Sequence, residues 1–104
     1  MSTRKLVRDK IPDILTRLGK KFRVYNVSDK SELIKYLLEK LDEEVMEFKK
    51  ALSIEELVDI LEVIDAIVSI MGWNWDDIRD IKEKKLKERG GFSKGLIVEM
   101  DNFS

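Results

Sequence analysis

The stretch DKSELIKYLLEKLDEEVMEFKKALSIEELVDILEVIDAIVSIMG, residues 29–72, decides the fold. Asp29 reads as an N-cap, with Glu32 three residues on as its capping-box partner, and opens a helix to about Lys50. Ser53 with Glu56 repeats the device and opens a second helix to about Met71, which Gly72 closes. The connection Ala51-Leu52-Ser53 is short, so the two helices are expected to be antiparallel neighbours.

Both helices carry acids on the edges of their apolar faces. At about 100° per residue, counted from Leu33, the residues Leu37, Leu41, Val45, Phe48 and Leu52 fall between roughly 40° and roughly 120°. Glu44 falls at about 20°, within that apolar arc, and Glu47 at about 320°, on its margin. Glu39, Asp42 and Glu43 fall farther out and read as solvated surface. In the second helix, counted from Glu55, the apolar residues Ile60, Ile64, Ile67, Val68 and Met71 centre at about 160°. Glu56 falls at about 100°, inside the apolar arc that Val63 and Ile70 widen, and Asp59 at about 40°, beside it. Glu47 and Asp59 each lie six residues from Ser53, about 9 Å along their helices, and Glu44 and Glu56 bracket that level. Four acids brought to one patch cannot all stay ionised without cations. Hard divalent ions such as Mg²⁺ or Mn²⁺ take oxygen ligands and suit such a patch.

Working outward, Pro12 fits the first turn of a helix from about Lys10 to Leu18, which Gly19 ends. Lys21 to Val27 alternates loosely and predicts a short strand, and Leu96-Ile97-Val98 a second. Asn74 with Asp77 predicts the cap of a last helix running to about Glu88, before Gly90-Gly91. The expected class is all-α, with short extended segments at either end and one domain over residues 1–104. The second long helix is apolar round most of its circumference, which suits the centre of a bundle or an oligomer interface.

Composition removes several chemistries. The chain has no Cys and no His, which excludes thiolate zinc sites, cysteine nucleophiles and histidine acid–base work. Its net charge is −1, whereas a generic nucleic-acid binder is strongly basic. No run of 18 apolar residues predicts a membrane span. The opening Met1-Ser2-Thr3-Arg4-Lys5 lacks the apolar core of a secretory leader, so a cytoplasmic location is expected.

Glu44-Val45-Met46-Glu47 followed by Glu56-Leu57-Val58-Asp59 resembles the ExxE…ExxD signature of the MazG-like all-α nucleoside triphosphate pyrophosphatases. Lys5-Leu6-Val7-Arg8-Asp9-Lys10-Ile11-Pro12 resembles the opening of the house-cleaning branch of that superfamily. Arg89-Gly90-Gly91-Phe92 and Gly95-Leu96-Ile97-Val98 resemble its ending. The resemblance implies a four-helix core of two antiparallel pairs, assembled as a homodimer or higher oligomer. It implies Mg²⁺-dependent cleavage of (d)NTPs, non-canonical ones among them, to the monophosphate and pyrophosphate. Phosphoribosyl-ATP and dUTP are the substrates of sister branches and stay open as alternatives.

Carried over by position, Glu44, Glu47, Glu56 and Asp59 would be the metal ligands, and Lys85 and Arg89 match the family's basic KxxxR element. The gap between the acid pairs is eight residues, shorter than in typical members. The chemistry adds candidates of its own. Glu47, nearer solvent, is the candidate proton acceptor for an attacking water. Arg8 is the candidate phosphate grip, because a guanidinium binds phosphate bidentately, with Lys5 and Lys10 beside it. The other basic residues from Lys82 to Lys87 read as a solvated last turn. Trp73 and Trp75 could each stack on a base, though packing is the more usual role of a Trp beside a helix cap, and Phe92, beside two glycines, is the better candidate lid residue. The competing class is a helical interaction module whose acids make inter-subunit salt bridges.

Overall fold

The computed structural model describes residues 4–101; Met1 to Thr3, part of the stretch inspected for a leader, lie outside them. The described residues are all-helical, with α1 at Ile11–Arg17, α2 at Lys30–Ala51, α3 at Ile54–Met71 and α4 at Trp75–Arg89. No helix among them is long and apolar enough to cross a membrane. The chain divides into two compact units at the Gly72–Trp73 junction, the first holding α1 to α3 and the second α4.

The caps explain the boundaries in the first unit. Asp29 accepts a hydrogen bond from the Glu32 N–H, and Ser53 Oγ one from the Glu56 N–H, so each satisfies an otherwise orphaned helix donor. At the end of α1, the Gly19 N–H reaches Thr16 O and the Lys20 N–H reaches Leu15 O. This is a Schellman closure, which needs the left-handed Gly19. The turn after α2 is made differently. Leu52, not a glycine, holds the left-handed conformation at φ 43°, with its N–H on Phe48 O. Its side chain is mostly exposed.

That turn sends α3 back along α2. Residues rising along α2 (Leu33, Leu37, Lys40, Glu44) share a cleft with residues falling along α3 (Ile70, Ala66, Val63, Asp59). The core is thin: Leu37, Val63 and Val68 are the buried hydrophobics among the described residues. Glu44 is buried with them, at 9% exposure. A second face of α3 is left to solvent. Ile54, Leu57, Val58 and Leu61, at i, i+3, i+4 and i+7, are all exposed. The segment before α1 is tied to the rest of its unit by Arg4 stacked over Tyr25, 4.6 Å from the ring centre, and by the ion pairs below.

The two expected strands do not form. Residues 21–27 and 96–98 take no regular structure and are almost wholly exposed. Alternation marks a chain suited to a sheet, but a strand exists only where a partner takes up its N–H and C=O groups. In the second unit Asn74 caps α4 as expected, although its side chain accepts from the Asp76 N–H rather than from Asp77. No residue of α4 is buried.

Candidate metal centre

Glu44 from α2 and Glu56 and Asp59 from α3 bring carboxylate oxygens within 4.8 Å of one another. The hairpin causes this: Glu44 lies on the inner face of α2, and Glu56 and Asp59 occupy adjacent turns at the start of α3. Glu56 sits at the third position of α3, where the helix N-terminus favours a negative charge. Its carboxyl is nevertheless held above the usual carboxylate range. Partial removal from water is the largest cause, followed by the charges of Asp59, Glu44, Glu47 and Glu55. The group sits in a field of like charges that no cation among the described residues fully offsets.

Two cations stand at the margin. Arg8 Nη2 donates to Asp59 Oδ1 at 2.6 Å, across 51 residues of sequence. Lys40 Nζ lies 3.4 Å from Glu44 Oε1 and 3.4 Å from Glu43 Oε2. Lys5 completes a chain of charges by donating to Glu43 Oε1 at 3.1 Å. The bond from Lys5 is the main reason the Glu43 carboxyl is held below its ordinary range. Loss of hydration opposes it, and the charge of Lys40 adds to it. Arg8, Lys40, Glu44 and Asp59 also line the cleft, of about 360 Å³, whose remaining walls include Leu6, Val7, Leu33, Leu37, Val63 and Ile70. The acids Asp9 and Glu62 line the cleft as well, and Glu56 does not.

The expected residues separate into three groups. Glu44, Glu56 and Asp59 meet, with Arg8 in contact. Glu47 is not one of the three that meet; it is about half exposed, 4.0 Å from Lys50 Nζ. Lys5 bonds Glu43, and Lys10 is the N-cap of α1. Lys85 and Arg89 lie exposed on α4 in the other unit; Trp75 opens that helix, and Trp73 before it and Phe92 after it are exposed in the same unit. Lys40 was not singled out by the pattern of the sequence, and Glu43, read there as solvated surface, pairs with Lys5 and Lys40. Lys40 was recoverable, since it stands four residues before Glu44 and shares its helix face.

The donor set fits a hard divalent ion. Trans oxygens around Mg²⁺ are about 4.1 Å apart and around Ca²⁺ about 4.9 Å, from bond lengths of about 2.05 Å and about 2.45 Å. Only one pair of three ligands can be trans; cis oxygens lie about 2.9 Å apart on Mg²⁺ and about 3.5 Å apart on Ca²⁺, so oxygens that lie within 4.8 Å of one another would have to close in on a bound ion by side-chain rotation. Comparison with protein families, with curated proteins and with solved structures gave no match.

Proposed function

We propose that this protein is a divalent-metal-dependent nucleoside triphosphate pyrophosphohydrolase of the MazG-like kind, converting a (d)NTP, non-canonical ones included, to the monophosphate and pyrophosphate. The observation that carries the reading is the meeting of Glu44, Glu56 and Asp59 within 4.8 Å, with Glu44 and Asp59 also lining the cleft that holds Arg8 and Lys40. The resemblance of both chain ends to the house-cleaning branch supports it. Glu44, Glu56 and Asp59 would hold Mg²⁺ or Mn²⁺, which when bound neutralises phosphate charge and acidifies water. Arg8 and Lys40 bring positive charge to the same rim, where a polyphosphate needs it. Glu47, on the solvent side, is the proposed proton acceptor. Lys85 and Arg89 are proposed as further phosphate contacts, and a second copy of the chain as the cover for the α3 stripe.

The test is to incubate the pure protein with Mg²⁺ and a panel of nucleotides and to measure monophosphate and pyrophosphate together. Equimolar release that disappears in Glu44→Gln and Asp59→Asn is expected. A flat panel, or undiminished turnover in both variants, rejects the reading. A second reading, a helical interaction module, is favoured by the exposed Ile54, Leu57, Val58 and Leu61. Mn²⁺ binding no tighter than that of ordinary surface acids would select it.

A further inference from the structure

We propose that Arg8 is an exchangeable counter-ion: it neutralises Asp59 until a divalent cation displaces it, and the released guanidinium then grips an anionic phosphate in the cleft. The inference rests on the divalent-cation reading above and adds an order of events to it. Arg8 and Asp59 form a pair at 2.6 Å, with side chains 52% and 38% exposed, so the bond is weak enough to exchange. Asp59 is also one of the three acids that meet. A dication coordinated by Asp59 would lie within about 5 Å of that guanidinium, and like charges so close repel. Arg8 lines the cleft together with Glu44 and Lys40, so leaving Asp59 does not take it from the place where phosphates would arrive. Cation and polyanion each favour the released state of Arg8. By reciprocity, each therefore raises the affinity of the other by the same factor.

The experiment has two arms. In the first, Mn²⁺ is titrated without any anion into the wild type, Arg8→Ala and Asp59→Asn, and followed by the electron paramagnetic resonance of the free ion. Arg8→Ala, relieved of its competitor, is expected to bind Mn²⁺ about two- to fivefold more tightly, the range an exposed ion pair supplies. Asp59→Asn binds it more weakly. In the second, tripolyphosphate is titrated in EDTA. Asp59→Asn, with Arg8 free, is expected to bind it about two- to fivefold more tightly than the wild type does. That gain must shrink in the Arg8→Ala/Asp59→Asn double variant. Unchanged or weaker Mn²⁺ binding by Arg8→Ala overturns the exchange, and so does a gain that survives in the double variant. If Mn²⁺ binds the wild type and is weakened in Asp59→Asn but Arg8→Ala does not tighten it, only the exchange fails. If the wild type binds no Mn²⁺, the metal reading fails with it. If Arg8→Ala does not fold, Arg8→Gln takes its place in both arms, with the same outcomes expected.

Discussion

Replacing Asp59 with Asn is expected to stabilise the metal-free protein and destabilise the metal-loaded one. Glu44 and Asp59 present oxygens at most 4.8 Å apart. Two like unit charges at that separation repel by about 0.9 kcal/mol in a fully aqueous dielectric and by about 3.5 kcal/mol at an effective value near 20. The substitution removes that repulsion and also the Arg8 pair, which as an exposed bridge contributes about 0.2–1 kcal/mol. The difference runs from about zero to about 3.3 kcal/mol, and the partly solvated rim selects its lower half, a gain of up to about 1.6 kcal/mol in EDTA. Mn²⁺ at about 100 times its dissociation constant adds about 2.7 kcal/mol to the wild type. A variant whose affinity has fallen about 100-fold gains only about 0.4 kcal/mol from the same solution. The two stability curves should therefore cross. Urea unfolding of both proteins, in EDTA and in Mn²⁺, measures this directly. Asp59→Asn less stable than the wild type in EDTA, or equal Mn²⁺ gains in the two proteins, refutes the reasoning.

Other consequences follow from the hairpin. Leu37→Ala should cost about 2–5 kcal/mol in urea unfolding, because Leu37 is the most deeply buried hydrophobic among the described residues of a thin core, at 4% exposure. Leu52→Gly should stabilise by up to about 1 kcal/mol, visible as a rise of a few degrees in Tm. It removes a left-handed penalty of about 1–2 kcal/mol and returns part of it as unfolded-chain entropy. Glu56, with its folded pKa raised, makes the metal-free protein gain stability as pH falls through that folded value, the gain being complete below the ordinary carboxylate range. Glu43, with its pKa lowered, has the opposite sign: its contribution is present above the ordinary range and is lost as pH falls through the folded value. Stability measured from neutral pH downward should therefore rise before it falls, and Glu56→Gln should remove the rise.

The hairpin was legible because its signals are local. Asp29, Ser53 and Gly72 each punctuate the chain through bonds that span four residues or fewer. Glu44, Glu56 and Asp59 then followed from helix periodicity and one short turn. Glu47 did not follow with them. Glu47 stands half exposed beside Lys50, on the margin where the helical wheel puts it. Arg8 on Asp59 could not be read as a contact, since nothing in spacing pairs residues 51 apart. The strands failed for the converse reason: Phe22, Val24, Ile97 and their neighbours carry the side-chain pattern, but a ladder depends on a partner that pattern does not specify.

Whether Glu44, Glu56 and Asp59 together hold one divalent cation is tested most directly by calorimetric titration of Mn²⁺. The proteins needed are the wild type, Glu44→Gln, Glu56→Gln and Asp59→Asn, with Glu39→Gln and Asp42→Asn as exposed controls on α2. Saturable binding is expected that weakens about tenfold or more in each of the three variants and is unchanged in both controls, in keeping with the loss of one oxygen ligand. Equal affinity in all six proteins would contradict a shared site.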